Sequence, residues 1–350
     1  MDPSDHRPGL LERLAEGPVI CAEGYLFELE RRGYLQAGAF VPEVVLEHPE
    51  EVTQLHRQFV HAGSDVVEAF TYYAHREKLR IIGKEELIER INRQALALAK
   101  EVAEESGALI AGDICNTNVY ESGDDGTCKQ ALSMFEEQVG WAVEAGVDFI
   151  IGETFSYAEE ALIGLEVIKQ TGLPAVITLA VHRAPETREG WSVAEACKRL
   201  ADAGADVVGL NCIRGPTTML PLLREIIPAV DVPVAALPVP YRTHPEEPSF
   251  QSLRDPAFED FPSGIPFPTA LDPFTCNRYE IATFTREARD LGVGYFGVCC
   301  GAAPHHIRSM AEALGRTPPA SRYSADMSKH AFLGTDPTLR RQNVEYRSEL

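Results

Sequence analysis

Two adjacent cysteines, Cys299 and Cys300, close the apolar run Tyr295-Phe296-Gly297-Val298, and Asn211-Cys212 closes a second run that begins at Asp206. Three thiols at two strand ends are a donor set for zinc, which in catalytic sites takes three protein ligands and keeps one position open for chemistry. The plainer reading is that they are small core residues, since free cysteine is among the most buried residue types. A vicinal pair at a strand end, followed by Gly301, argues against it. Glu23 and Glu153 also follow apolar runs and precede turn or helix signals. Each carboxylate could hold an ammonium group or cap a helix N-terminus. Tyr72, Tyr73, Asn116, Thr117 and Thr154 occupy the same kind of position. Tyr72 and Tyr73 are expected on opposite sides of their strand, so at most one should face a pocket.

The elements that must position these groups are repeated. Glu144-Ala145-Gly146-Val147-Asp148-Phe149-Ile150 has near copies at His61-Ala62-Gly63 and Asp202-Ala203-Gly204, and a looser one at Asp290-Leu291-Gly292. Each reads as a helix stopped by a left-handed glycine and followed at once by a strand. In the first such helix Pro49 sets the opening turn, Glu50 and Glu51 complement the dipole, and Val52, Leu55 and Phe59 form one apolar face. Strands are expected at 19–24, 65–73, 108–114, 148–155, 175–180, 206–212, 232–239 and 295–300. Their runs are continuously apolar rather than alternating, as in parallel strands covered on both faces. Eight such βα units make an α/β fold of the (βα)8 TIM-barrel type, whose active sites gather at the carboxyl ends of the strands. An open doubly wound sheet is the competitor, but no Gly-x-Gly-x-x-Gly turn follows any strand, so nothing calls for a dinucleotide.

The chain has 350 residues, 45% of them hydrophobic, enough for one large barrel core. Its net charge of -21 repels nucleic-acid phosphates and anionic membranes, so neither is an expected partner. Met1-Asp2-Pro3-Ser4-Asp5-His6 lacks the marks of a signal peptide, and no apolar run nears the roughly 20 residues of a membrane span. A cytoplasmic location with 8 unpaired thiols is expected. Residues 1–316 are assigned to the barrel, with a long loop at 240–274 rich in proline and aromatics, a lid or a subunit contact. Residues 317–350 form a polar C-terminal extension, open at this point to disorder or to gripping a neighbour.

These residues resemble the zinc-dependent homocysteine methyltransferases, above all their betaine-using members. The resemblance spans nearly the whole chain and is tightest at Glu28-Leu29-Glu30-Arg31-Arg32-Gly33-Tyr34, Ala69-Phe70-Thr71-Tyr72-Tyr73-Ala74, Gly209-Leu210-Asn211-Cys212 and Gly297-Val298-Cys299-Cys300-Gly301. It implies that Cys212, Cys299 and Cys300 hold Zn2+ and that the fourth position takes the homocysteine thiolate. It implies that Tyr73 and Phe40 cage the onium group of the donor, and that no nucleotide or redox cofactor is needed. The segment from Ala325-Asp326-Met327 resembles the family's tail, which wraps a partner subunit; a homo-oligomer, dimer or tetramer, follows, with 317–350 as its arm. Against the family pattern, Glu23-Gly24-Tyr25 replaces an Asp-Gly-Gly turn, Phe40 replaces tryptophan and Thr154 replaces tyrosine. These changes touch substrate recognition, so a sulfonium donor of the thetin type or a different thiol acceptor stands beside betaine and homocysteine. A barrel that binds zinc or a small ligand without turnover is the reading from another class. The chain is too short for the extra domains of folate- or cobalamin-dependent enzymes.

Overall fold

The computed structural model describes residues 7–255, 257 and 264–349. Met1 to His6, and Pro262 and Ser263 of the long loop, lie outside the described residues. Eight parallel strands close into a barrel in sequence order: β1 (Val19–Ala22), β2 (Val66–Glu68), β3 (Leu109–Cys115), β4 (Phe149–Phe155), β5 (Ala175–Leu179), β6 (Val207–Asn211), β7 (Val234–Leu237) and β8 (Val293–Val298). Closure sets β1 beside β8, with Val19 opposite Tyr295 and Ala22 opposite Val298. All eight expected strands are present, and Gly63, Gly146, Gly204 and Gly292 all take the positive φ that stops a helix.

The barrel interior follows from the two-residue alternation of a strand. Val19, Cys21, Val66, Leu109, Ala111, Phe149, Ile151, Val176, Val207, Ala235, Leu237 and Tyr295 pack together as one inner cluster. The outward residues, such as Ile20, Val67, Ile110 and Ile150, join the helices Pro49–Ala62, Ile88–Ser106 and Asp125–Ala145 in the outer core. A helix at Leu10–Glu16, not expected from the sequence, adds Leu10 and Leu14 to the inner cluster. Arg7 and Arg13 fix that segment to the starts of the strands, through the Ala108 carbonyl and Asp148 and through the Gly107 and Asp65 carbonyls. The amino end of the barrel is thereby covered, which leaves the carboxyl end for chemistry.

Two expectations need correction. β2 ends at Glu68, not Tyr73. Tyr72 and Tyr73 therefore lie in the loop beyond it, where strand alternation does not apply. Glu23 and Glu153 sit deeper than a mouth position, because they continue the inward alternation of β1 and β4. Among the described residues no helix is long and apolar enough to cross a membrane.

Candidate metal centre and active site

Continued one step toward the carboxyl end, the inward alternation changes character. After Cys21, Val66, Ala111, Ile151 and Val176 come Glu23, Glu68, Asp113, Glu153 and Thr178, and Asn211 ends β6, so the topmost layer of the core is polar. All six are at least nine-tenths buried. Burial pushes the carboxyls of Glu23, Glu68 and Asp113 well above their ordinary range, reinforced by repulsion from neighbouring carboxylates, Glu153 in every case. Glu153 is pushed up to about 8 by burial and by Cys212. Asn211 is the hub of this layer. Its Nδ2 donates to Glu153 Oε2 at 2.6 Å and to Thr154 Oγ1 at 2.8 Å, and its Oδ1 accepts the Thr154 backbone N–H at 2.9 Å.

The thiols stand on this layer. Cys212 follows Asn211 directly, and its φ of +56° turns the chain out of the strand direction; Ile213 shares that φ. The Cys212 amide still donates to the Leu237 carbonyl at 2.9 Å, and that of Cys299 to the Pro238 carbonyl at 3.0 Å, so both strand ends are fixed to β7. The sulfurs of Cys212, Cys299 and Cys300 lie within 4.8 Å of one another. Hydrogen bonds from Cys299 and Cys300 pull the Cys212 thiol well below its ordinary value. Burial pushes Cys299 up, and donation to Cys212 pushes Cys300 up. Three soft donors gathered in one corner, two of them buried, fit a thiophilic cation such as zinc. Gly301 turns the chain away at φ +90°, where a Cβ would meet the Tyr241 hydroxyl at 2.3 Å.

Above the thiols opens a cavity of about 830 Å3 whose lining includes Phe40, Tyr72, Tyr73, Thr154, Cys212 and Cys300. Below them a chamber of about 10 Å3, room for about one water-sized group, is lined by Glu23, Glu68, Asp113, Glu153 and Cys299. The structure thus brings every expected site residue to one end of the barrel, but divides them: Cys212, Phe40, Tyr73 and Thr154 face the cavity, Cys299 and the carboxyls face the chamber, and Cys300 and Tyr72 border both. Both tyrosines line the cavity, with ring centroids 4.1 Å apart. The Lys78 ammonium sits 4.0 Å from the Tyr73 centroid and occupies one of its faces. Phe40 packs edge-on against Phe27, and the long loop adds Phe250 and Phe267 to the same wall. Asn116 donates to the Thr154 carbonyl and lines the cavity, whereas Thr117 is spent on Glu160. Glu68 and Asp113 were missed by the sequence reading. The signal available was an acidic residue in phase with the inward positions of an otherwise apolar strand.

Residues 21–314 match the sequence model of the homocysteine S-methyltransferases. The chain belongs to the homocysteine S-methyltransferase family. An S-methyltransferase, the enzyme class expected from the sequence, follows from that membership. Betaine–homocysteine S-methyltransferase 1 of Xenopus tropicalis is 37% identical over 355 residues, covering 97% of this chain and 85% of that protein. The S-methylmethionine–homocysteine S-methyltransferase of Mus musculus is 35% identical, over 97% of this chain and 92% of its own length. The homocysteine methyltransferase MmuM from Escherichia coli, in its metallated form, superposes with a TM-score of 0.66 at 16% identity over 86% of this chain and 98% of that one. That likeness supports the barrel fold.

Proposed function

We propose that the chain moves a methyl group from betaine or a related onium donor to the thiolate of homocysteine, giving methionine. The observation that carries this reading is the convergence of three thiols beneath an aromatic-walled cavity, with Cys212 and Cys300 in its lining. Zinc is the metal we assign to Cys212, Cys299 and Cys300. When bound there it would supply a thiolate at neutral pH by lowering the pKa of the incoming thiol. The cavity would hold the donor with its methyl directed at that sulfur. The thiolate pair then forms the S–C bond while the C–N bond breaks with its pair going to nitrogen, so anion and cation become thioether and neutral amine. Charge disappears in the transfer, and an aromatic-lined cavity favours that over water.

Aromatic faces attract an onium by about 0.5 to 2 kcal/mol per ring. Lys78 on one face of Tyr73 leaves Tyr72, Phe40 and the rest of Tyr73 for that role. Glu23 and Glu153 are assigned to the acceptor's ammonium: the chamber admits a group of that size, and a carboxyl held protonated by burial ionises on meeting a cation. Thr154 orients Glu153 and widens the cavity beside it. A sulfonium donor is the second reading, supported by the same wall, which recognises charge and not the onium atom.

The eight cysteines are all free thiols, which supports the cytoplasm as the compartment. The tail displays Tyr323, Met327, Leu333 and Tyr346, each between 45% and 78% exposed, and this supports its assignment as an arm that packs on another copy of the chain. Incubation with homocysteine and a panel of ammonium and sulfonium donors tests the function. Methionine is expected, with Cys212→Ala and Cys299→Ala losing both zinc and product. Zinc bound without product from any donor would overturn catalysis in favour of a binding barrel, and full zinc occupancy in either variant would overturn the ligand set.

A further inference from the structure

We propose that Arg188 anchors the anionic end of the methyl donor, so that the cavity selects zwitterionic, carboxylate-bearing onium compounds over purely cationic ones. The inference rests on the onium-to-thiolate reading above. Among the described residues that line the cavity, Arg188 is the one arginine or lysine; the other formal charges there are Glu121, Glu160 and Glu189. Two of those acids accept hydrogen bonds, although Glu189 Oε2 has no partner among the described residues. Glu160 accepts from the backbone N–H and the hydroxyl of Thr117, and Glu189 accepts the Glu159 backbone N–H. The Arg188 guanidinium has no ion pair among the described residues; it lies 5.8 Å from the centroid of the Tyr157 ring. An exposed guanidinium in the cavity lining, with five donors and no ion pair or side-chain hydrogen bond among the described residues, suits a carboxylate.

The loop that carries it is fixed. The Arg188 backbone N–H donates to the Ser156 carbonyl at 2.9 Å, and Thr187 and Trp191 close the turn around it through Thr187 N–H to the Trp191 carbonyl, also 2.9 Å. The neighbouring imidazole cannot take the same role. His182 has Ser156 Oγ 3.3 Å from Nε2 and Gln251 Oε1 3.1 Å from Nδ1. The glutamine oxygen can only accept, so Nδ1 carries the hydrogen and Nε2 accepts from the serine. Burial lowers its affinity for a proton, and both Arg188 and Cys212 act on its charge. A neutral ring with both nitrogens engaged therefore stands within electrostatic reach of the thiol centre and of the free cation. A donor whose onium rests on the aromatic wall above the thiols can direct its carboxylate toward Arg188.

The carboxylate is unchanged by methyl transfer, so its contact with Arg188 is equally strong before and at the transition state. Such uniform binding acts on KM and not on kcat. The test is steady-state methionine formation at saturating homocysteine with two matched pairs, betaine against tetramethylammonium and dimethylsulfonioacetate against trimethylsulfonium. The wild type should favour the carboxylated member of each pair. Arg188→Gln should raise KM about tenfold for the carboxylated donors, with kcat little changed and no shift for the uncharged-tail donors, and Arg188→Lys should restore part of the loss. An unaltered KM in Arg188→Gln, or an equal rise for both members of a pair, overturns the proposal. If no onium compound gives methionine, the parent reading has failed on its own. Calorimetric binding of betaine to wild type and Arg188→Gln, zinc-loaded with homocysteine present, then decides the anchor separately: equal affinity overturns it, and a tenfold loss supports it.

Discussion

Asn211→Ala removes the hub of the polar layer and tests whether that layer holds the site together. Asn211 is 1% exposed, so its partners have no water to replace it. Truncation leaves the Thr154 backbone N–H buried without an acceptor, which costs about 1–3 kcal/mol. It also strips Glu153 Oε2 of its shortest donor, at 2.6 Å, a loss of similar size. A fall in stability of about 4 kcal/mol is expected, with the Thr154 amide, at φ +60°, as the most exposed weakness. Urea unfolding of metal-free protein measures it without the added contribution of metal binding to the native state. With metal restored, homocysteine should bind more weakly, because Glu153 is no longer oriented. A stability loss below about 1 kcal/mol, together with unchanged acceptor affinity, would refute the hub.

His56, His75 and His306 are each pushed down to about 3 by burial. The unfolded chain takes up a proton on each near pH 6.5, the native state only near 3, so their contribution is complete above 6.5 and declines as pH falls toward 3. At pH 5 each should cost about 2 kcal/mol, and His56→Phe, at a ring with no hydrogen-bond partner, should lose about 2 kcal/mol less than wild type between pH 7.5 and 5; parallel unfolding curves would contradict this. Phe40→Trp should tighten betaine binding by up to about 1 kcal/mol through a better cation face, and a titration with homocysteine present that showed weaker or equal binding would count against Phe40 in the wall. Deleting the residues after Ser321 should reduce the mass in solution, since the tail exposes apolar side chains; an unchanged oligomer would remove the arm.

The barrel was legible because its signals are local and redundant: eight continuous apolar runs, each separated from the next by helical pattern, and four helix stops with the same glycine. The thiol centre was legible because motif and strand end coincide at Asn211-Cys212 and Val298-Cys299-Cys300. What escaped depended on phase and backbone turn. Glu68 and Asp113 belong to the site because they sit two residues beyond Val66 and Ala111, a count that requires knowing which face of each strand is inward. Tyr72 and Tyr73 were set on opposite faces by extending β2 five residues too far, and β2 ends early because the chain turns at residues whose φ no local signal specifies. Phe250 and Phe267 come from a segment whose composition marked it as unusual but did not say where it would fold.

The residues with non-glycine positive φ show how the two ends of the barrel differ. Among the described residues they are Phe40, Tyr73, Asn118, Thr154, Cys212 and Ile213, and all six line the large cavity. Such backbone costs on the order of 1–2 kcal/mol per residue and persists only where surrounding structure imposes it. Here the imposing structure is identifiable: Thr154 is held by Asn211, Cys212 by the Leu237 carbonyl, Tyr73 by the Cys115 sulfur at 3.3 Å. A shift in pairing between β4 and β5 falls at the same place, between Gly152 and Phe155, and re-aims Glu153 and Thr154. Buried carboxyls that repel one another are concentrated there as well. Among the described residues the amino end carries none of this; Leu10 and Leu14 fill it, and Arg7 and Arg13 tie it to strand starts. The apolar layers and that plug supply the stability against which strained backbone and crowded carboxyls at the other end are maintained, and that end is where the proposed reaction takes place.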